Sequence, residues 1–200
     1  MSMKILVAGA TGKTGLQLVR YLLDQGHMPT ALVRESSDTS DLPKGASLRQ
    51  GDLTDLQSGI CHGMDAVIFA AGSGAGTGPE MTDKVDRDGA RRLVDLAREA
   101  GVTRFVLLSS IGADQSEPDG DLAHYLKAKH DADEHLKASG LTWAILRPVA
   151  LTNDGRSDDV ILGADVDRSA TASRADVAWL LAEAATTGRF DGSALDMQSA

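Results

Sequence analysis

The sequence predicts an α/β fold in which helices cover both faces of one doubly wound, mostly parallel sheet. Apolar runs of strand length alternate with helical patterns along the chain, and glycines follow three of those helical patterns. Strands that alternate with helices favour crossover connections and therefore parallel neighbours. A chain of 200 residues suits one such domain. We expect residues 1–200 to form it, with residues 149–200 as a small C-terminal appendage on the substrate side.

Seven strands are predicted from apolar runs that lie between turn residues. The first strand begins at Lys4 and ends before Gly9. The second to seventh strands are Thr30–Val33, Ser47–Gln50, Asp65–Ala70, Thr103–Ser109, Thr142–Leu146 and Ser193–Met197. Of these, the third strand has the weakest pattern and the seventh is short.

Four helices separate these strands. The first follows Gly12 and ends at Gly26, and the others are predicted at Met81–Ala100, Asp121–Ala138 and Arg174–Thr186. The second helix has its apolar stripe at Val85, Ala90, Leu93, Val94 and Ala97. We expect Asp176 to cap the last helix.

Three segments match neither pattern: Gly72–Pro79, Gly112–Gly120 and Leu151–Ala170. The first two directly follow the fourth and fifth strands. Because ligands bind outside the carboxyl ends of strands in open parallel sheets, these segments are expected to border a substrate pocket. The alternative is that they are solvated connections, which their glycine and aspartate content also fits.

Composition excludes several classes of function. A net charge of −9 argues against a nucleic-acid partner, which requires a basic face. The longest apolar runs are too short to span a bilayer, so no membrane partner is expected. Cys61 is the single cysteine, which favours a reducing, cytoplasmic compartment. The five histidines lack ligand spacing, and no metal site is predicted.

A glycine motif at the first strand predicts a dinucleotide site. Gly9 permits the tight turn out of the strand, Gly12 allows backbone to approach a pyrophosphate, and Gly15 lets the helix pack against the sheet. The exposed N–H groups of the first helical turn, together with the positive end of the helix dipole, then form an anion site.

The end of the second strand indicates which dinucleotide binds. Arg34 stands where an acidic residue would bind the ribose hydroxyls of NAD(H), and its planar guanidinium suits a 2′-phosphate instead. Lys13, Ser36 and Ser37 are further donors. The alternative is an exposed arginine without a specific role. The sequence therefore predicts NADP(H) in preference to NAD(H).

Two further groups of residues are expected along the cofactor. After the third strand, Asp52 could accept from the adenine amino group while Leu53 packs on the ring; alternatively, Asp52 caps a short helix that follows. The small residues after the fourth strand would let the middle of the cofactor pass close to the backbone. These are Ala70, Ala71 and Gly72.

Tyr125 and Lys129 are the catalytic candidates, because residues four apart on a helix project from the same face. An ammonium beside a phenol favours the phenolate and brings it toward acid–base work at neutral pH. Ser109 or Ser110, at the carboxyl end of the fifth strand, could bond a substrate carbonyl. The alternative is a chance pair on a solvated helix.

Nine short motifs, in order, resemble an atypical short-chain dehydrogenase/reductase of the NmrA-like, NAD(P)H-binding kind. They are Gly9–Gly15, Ala31–Arg34, Gly51–Asp55, Ala70–Gly72, Leu108–Gly112, Tyr125–Lys129, Ser139–Trp143, Ile145–Pro148 and Ser173–Val177. The resemblance implies a Rossmann-type fold with Thr11, Lys13 and Thr14 among the cofactor-binding residues. It also assigns the Ser–Tyr–Lys roles to Ser109 or Ser110, Tyr125 and Lys129, with Lys129 holding the nicotinamide ribose.

The leading hypothesis is an NADPH-dependent reductase of a small carbonyl, quinone or flavin-like acceptor. A non-catalytic NADP(H) redox sensor is the alternative, since some similar proteins use the fold only for sensing. An NAD-dependent epimerase or dehydratase is a third, disfavoured by Arg34 and by the short segment after Val149. Both a monomer and a homodimer remain open.

Overall fold

A mostly parallel eight-stranded sheet forms the centre of the computed structural model, which describes residues 1–74, 76–157 and 159–200. The strand order is β3-β2-β1-β4-β5-β6-β10-β8, with β8 antiparallel to β10 and the other neighbours parallel. The strands are β1 (Lys4–Ala8), β2 (Met28–Val33), β3 (Ser47–Gln50), β4 (Ala66–Phe69), β5 (Arg104–Leu108), β6 (Thr142–Pro148), β8 (Val160–Leu162) and β10 (Ser193–Ser199). The predicted α/β class and parallel sheet are confirmed.

Helices pack on both faces of this sheet. They are α1 (Lys13–Asp24), α2 (Pro79–Thr82), α3 (Ala90–Glu99), α4 (Ala123–Lys137) and α5 (Arg174–Thr187), and a π-helical segment, Asp83–Gly89, joins α2 to α3. The helix predicted from Met81 to Ala100 is thus helical as far as Glu99, but Asp83–Gly89 within it has the wider π geometry. Among the described residues, no helix is long and apolar enough to cross a membrane.

The core has two halves, because successive residues of a strand point to opposite faces. Ile5 and Val7 of β1 pack with Leu18 and Leu181 on the side of α1 and α5. The residues between and after them, Leu6 and Ala8, pack with Leu93 and Leu136 on the side of α3 and α4. Burial of both faces explains the nearly continuous apolar runs of the central strands.

The segment Leu151–Ala170, predicted to be irregular, contains regular structure. It includes most of β7 (Ala150–Thr152), all of β8, and a 3₁₀ turn at Gly163–Asp165. β7 pairs in parallel with β9 (Thr171–Ser173), which forms a second, two-stranded sheet. Strands of three residues are too short for a periodic pattern, so their pairing partners determine them. Ala75 and Asp158, within two of the predicted irregular segments, lie outside the described residues.

Asp176 does not cap the last helix, contrary to the prediction. Ser173 is the N-cap residue, and its side chain accepts from the Asp176 N–H at 3.0 Å. The buried Asp176 carboxylate instead accepts from the N–H and hydroxyl of Ser157 and from the hydroxyl of Ser199. Burial opposes ionisation, but these hydrogen bonds outweigh it and lower the pKa of Asp176. Asp176 therefore connects α5 to β10 and to the segment before β8.

A buried ion pair joins α4 to β6. Arg147 Nε lies 2.9 Å from Asp133 Oδ2, and both side chains are almost fully excluded from solvent. Burial raises the pKa of Asp133, and the guanidinium of Arg147 opposes that rise. Loss of one partner would leave a buried charge without compensation.

We expect Arg147→Met to lower the free energy of unfolding by about 3–5 kcal/mol at neutral pH. Without the guanidinium, the pKa of Asp133 in the folded protein rises further. When folding raises the pKa of a carboxyl, the folded protein loses stability as the pH increases from the unfolded-state pKa through the folded-state pKa. The deficit of the variant relative to the parent should therefore shrink as the pH is lowered. Urea unfolding of both proteins across a pH series measures it; a pH-independent deficit would contradict this account.

Candidate functional site

A cavity of about 550 Å³ lies at the carboxyl ends of β1, β2, β3 and β4. Its wall combines the turn after β1, the ends of the neighbouring strands, and one face of the helical stretch that begins at Pro79. The lining residues are Gly9, Thr11, Gly12, Leu32, Arg34, Ser37, Gly51, Asp52, Leu53, Thr54, Ala70, Ala71, Gly72, Ser73, Met81, Lys84 and Val85. This is the place where an open parallel sheet binds ligands.

Nine of the residues predicted along the cofactor lie together in this wall. They are Gly9, Thr11, Gly12, Arg34, Asp52, Leu53, Ala70, Ala71 and Gly72. Lys13, Thr14 and Gly15 are not part of it; they form the first turn of α1, with Lys13 exposed and the other two buried. Ser37 lines the same cavity, and Ser36 lines an adjoining depression together with Arg34.

The turn between β1 and α1 has no space for side chains at two glycines. Gly9 has a φ of +82°, and a Cβ there would lie 2.7 Å from the Cα of Ala71. A Cβ on Gly15 would lie 2.0 Å from the carbonyl oxygen of Gly9. Gly15 was predicted to permit helix–sheet contact, and the atoms that it approaches belong to the turn itself. Both glycines therefore keep α1 close to the ends of β1 and β4.

The start of α1 is suited to an anion. Gly12 is its N-cap residue, and no side chain among the described residues caps the helix. The first turn contains no acidic residue. First-turn N–H groups and the helix dipole therefore remain available for a negatively charged group, as a bound pyrophosphate requires.

Arg34 and Asp52 line the cavity just after the ends of β2 and β3. Arg34 is exposed, and its backbone N–H donates to Ser37 Oγ at 3.0 Å. Asp52 Oδ1 accepts from the backbone N–H and hydroxyl of Thr54 at 2.9 and 2.8 Å. These bonds, and to a smaller extent Arg34, lower the pKa of Asp52. The short helix expected after Asp52 does not form. Between Asp52 and β4 the chain has turns and no helix.

The π-helical segment contacts the wall at Leu53. Gly89 has no side chain, and a Cβ there would lie 2.8 Å from the carbonyl oxygen of Leu53. The absence of a side chain at this position lets the helical stretch approach the Asp52–Leu53 turn. Met81, Lys84 and Val85, on the same stretch, complete the cavity. The sequence prediction did not include these three as site residues.

The four catalytic candidates lie outside the cavity wall. Lys129 is buried, and its Nζ lies 5.6 Å from the centre of the half-buried Tyr125 ring. Ser109 is buried, whereas Ser110 is partly exposed. No hydrogen bond of good geometry reaches Ser109 Oγ among the described residues, although this hydroxyl is close enough to favour the charged form of Asp133. The tyrosine and lysine are therefore neighbours, and neither is among the residues that line this cavity.

Lys129 has a partner that the sequence analysis did not identify. Its Nζ lies 3.0 Å from Asp86 Oδ1 and donates to the carbonyl oxygen of Leu108 at 3.3 Å. Burial opposes the charged amine, but Tyr125 and Asp86 outweigh this effect and raise the pKa of Lys129. The only sequence signal was an aspartate between Val85 and Ala90 of the predicted apolar stripe.

The family model described as NAD(P)H-binding matches residues 9–187, a range that includes every residue lining the cavity. The chain belongs to the NAD(P)H-binding family. This result confirms the resemblance to NmrA-like, atypical short-chain dehydrogenases/reductases, and it agrees with the position of Gly12, the N-cap residue of α1, in the cavity wall.

Members and structural neighbours of this family carry different names. An uncharacterized sugar epimerase, YhfK, of Bacillus subtilis is 36% identical over 88% of this chain and 85% of its own length. A Bacillus halodurans structure, described as a candidate NAD-dependent epimerase/dehydratase, has a TM-score of 0.92 and 31% identity over 100% of this chain and 95% of its own. The oxidoreductase ylbE from Lactococcus lactis has a TM-score of 0.85 and 29% identity, over 99% and 91%.

We expect Gly9→Ala to lower the free energy of unfolding by more than about 2 kcal/mol, since it combines a left-handed φ with backbone overlap. Gly155→Ala is the control, because the space around Gly155 is open and its φ lies outside the left-handed region. The control should change stability by less than about 0.5 kcal/mol. Equal effects of the two substitutions, measured by urea unfolding, would contradict the assigned close approach at Gly9.

Proposed function

We propose that this protein is an NADPH-dependent reductase of a small carbonyl, quinone or flavin-like acceptor. The observation that carries the proposal is the position of Arg34, which lines the cavity at the carboxyl end of β2 in a chain of an NAD(P)H-binding family. The position is suited to the adenosine ribose, and a guanidinium there favours the additional phosphate of NADPH.

A second cation supports this preference. Lys84 lines the same cavity from the π-helical segment. In a chain with a net charge of −9, the charged residues of this lining are two cations, Arg34 and Lys84, and one carboxylate, Asp52. Lys84 also pairs with Glu80 at 2.7 Å, and both side chains are largely exposed. Because an exposed pair of this kind contributes little, Lys84 remains available to a phosphate.

Arg34→Ala should raise the Kd for NADPH roughly 10- to 100-fold, as expected for loss of a hydrogen-bonded charge on phosphate. The Kd for NADH should change by less than about twofold. Arg98→Ala, an exposed arginine in the last turn of α3, is the matched control. Titrations followed by nicotinamide fluorescence measure all four constants. An equal rise in the Kd for NADPH and for NADH would exclude Arg34 as the residue that distinguishes the two nucleotides.

The placement of the catalytic candidates guides the choice of acceptor. When bound, the nicotinamide would supply a hydride to the acceptor. Tyr125 is the proposed proton donor for a carbonyl, and Ser109 or Ser110 the proposed partner of the acceptor oxygen. None of these residues is among those that line the cavity, so the proposal also includes acceptors that need no positioned acid. Quinones and flavins are such acceptors.

Tyr125→Phe tests the acid role. Removal of a general acid should lower kcat for a carbonyl substrate about 100-fold or more. The rates with a quinone or free flavin should stay within about twofold, because these acceptors do not depend on the phenol. Tyr21→Phe, at the chain's other tyrosine, is the control, since its hydroxyl faces Glu183 on the side of α1 and α5. Parental rates with every accepted substrate would remove Tyr125 from the reaction.

A redox sensor is the second candidate, and it agrees with the absence of all four catalytic candidates from the cavity lining. It predicts that NADPH binds and that no acceptor of any class oxidises it. The relatives named as epimerases suggest a third activity, which requires tightly held NAD. Stoichiometric NAD in the purified protein would support that activity over both others.

A further inference from the structure

The backbone that carries both candidate serines stays attached to β6 after β5 has ended. The N–H of Ser109 donates to the carbonyl oxygen of Leu146 at 2.8 Å. Two residues further on, the N–H of Ile111 donates to the carbonyl oxygen of Pro148 at 3.0 Å. The parallel pairing of β5 with β6 therefore continues past both serines, and Ser110 lies between two residues whose backbone is held by β6.

A tight turn, which we call the serine turn (residues 110–113), reverses the chain at this point. The N–H of Ala113 donates to the carbonyl oxygen of Ser110 at 3.1 Å. Gly112, the third residue of the turn, has a φ of +88°, as a type II turn requires. A Cβ on Gly112 would lie 3.2 Å from both Leu126 Cδ1 and Arg168 Nη2. The serine turn is therefore closely packed against α4.

One side chain of α4 bonds to the end of the serine turn. His130 Nδ1 lies 2.9 Å from the carbonyl oxygen of Ala113, and Ala113 is completely buried. Because a carbonyl oxygen only accepts, Nδ1 is the ring nitrogen that carries the hydrogen. Within residues 1–74, 76–157 and 159–200, no backbone N–H bonds to this oxygen. A buried carbonyl without a donor is costly, so the serine turn depends on the imidazole.

The same helix carries the proposed proton donor. Tyr125 lies five residues before His130, and both side chains are half-buried. Residues of one α-helix are fixed relative to each other by the backbone hydrogen bonds of the helix. The bond from His130 to the serine turn therefore also fixes where Tyr125 lies relative to Ser109 and Ser110.

We propose that His130 is a positioning residue that sets the distance between Tyr125 and the serine that binds the acceptor oxygen. This inference rests on the proposed reductase function, in its form with a carbonyl acceptor. Two groups that act on one oxygen must be placed closely, and a misplacement of about 1 Å can lower a rate by up to about 100-fold. Loss of the bond should therefore lower kcat more than it raises KM.

Another histidine of α4 provides a matched control. His135 Nε2 lies 2.9 Å from Asp95 Oδ1 on α3, and His135 is half-buried like His130. The two histidines thus make bonds of equal length from the same helix to different partners. A general loss of helix packing should be similar for both, whereas an effect on the serine turn should be confined to His130.

The test measures kcat and KM for benzaldehyde, menadione and FMN, with NADPH, in the parent, His130→Ala, His130→Asn and His135→Ala. We expect His130→Ala to lower kcat for benzaldehyde about tenfold, with KM changed less than about twofold. Asparagine keeps an N–H donor near the position of Nδ1, so His130→Asn should remain within about threefold of the parent. His135→Ala should stay within about twofold. Rates with menadione and FMN should stay within about twofold in every variant.

Amide hydrogen exchange at Ala113 in the cofactor-free protein reports on the serine turn without any acceptor. Its N–H closes the turn, so exchange should accelerate about tenfold in His130→Ala and less than about twofold in His130→Asn and His135→Ala. If His130→Ala does not fold, His130→Phe takes its place, because a phenyl ring fills the space of the imidazole without donating.

The outcomes separate this inference from the proposed function. If the parent oxidises NADPH with none of the three acceptors, the reductase function is wrong and the catalytic role of His130 falls with it. If the parent reduces menadione or FMN but not benzaldehyde, the function stands and the inference is wrong. Parental kcat for benzaldehyde in His130→Ala also overturns the inference alone. Equal losses in His130→Ala and His130→Asn, or in His130→Ala and His135→Ala, overturn it as well, because the bond to the serine turn is then not the cause.

Discussion

The cofactor cavity depends on backbone that approaches backbone without side chains between. Gly9 lies against Ala71 at the end of β4, and Gly15 lies against the carbonyl of Gly9, so α1 begins close to the sheet. This closeness brings the free N–H groups of α1 to the carboxyl ends of the strands, where an anion can reach them. Arg34 and Asp52 then need only to follow neighbouring strands. One steric constraint thus brings the start of α1 to the same cavity as Arg34 and Asp52.

The face of helix α4 that packs against the rest of the protein carries two buried charged side chains. Lys129 and Asp133 are buried among Ala128, Ala132 and Leu136. Each charge pairs with a different element, Lys129 with the π-helical segment and Asp133 with β6. Buried pairs seldom add net stability over apolar packing, but a lone member is costly. They therefore fix which elements α4 contacts more than how strongly it binds them.

The sequence was sufficient to predict those parts of the structure that depend on a local apolar pattern or on the positions of glycines. Apolar runs located the central strands, since both faces of the sheet are buried, and the glycine spacing with Arg34 located most of the cavity wall. It was insufficient for β7 and β9, which are three residues each and exist through pairing with one another. It also missed Asp86, because an aspartate in a helix is ordinarily solvated. Only the packing of α4 shows that this one is buried beside a cation.

The same distinction explains why family motifs predict the role of the glycine turn better than the roles of Tyr125 and Lys129. Cofactor binding by the turn after β1 uses backbone N–H groups and missing side chains, so the motif itself carries the chemistry. The pair Tyr125 and Lys129 carries chemistry only through the groups around it. In this chain the ammonium faces Asp86 and the carbonyl of Leu108, within a buried site. A helical spacing that places two residues on one face does not determine the direction in which a long, flexible side chain extends. The partner charge of Lys129 comes from Asp86, a residue far away in sequence, so the local pattern around Lys129 does not predict this pair.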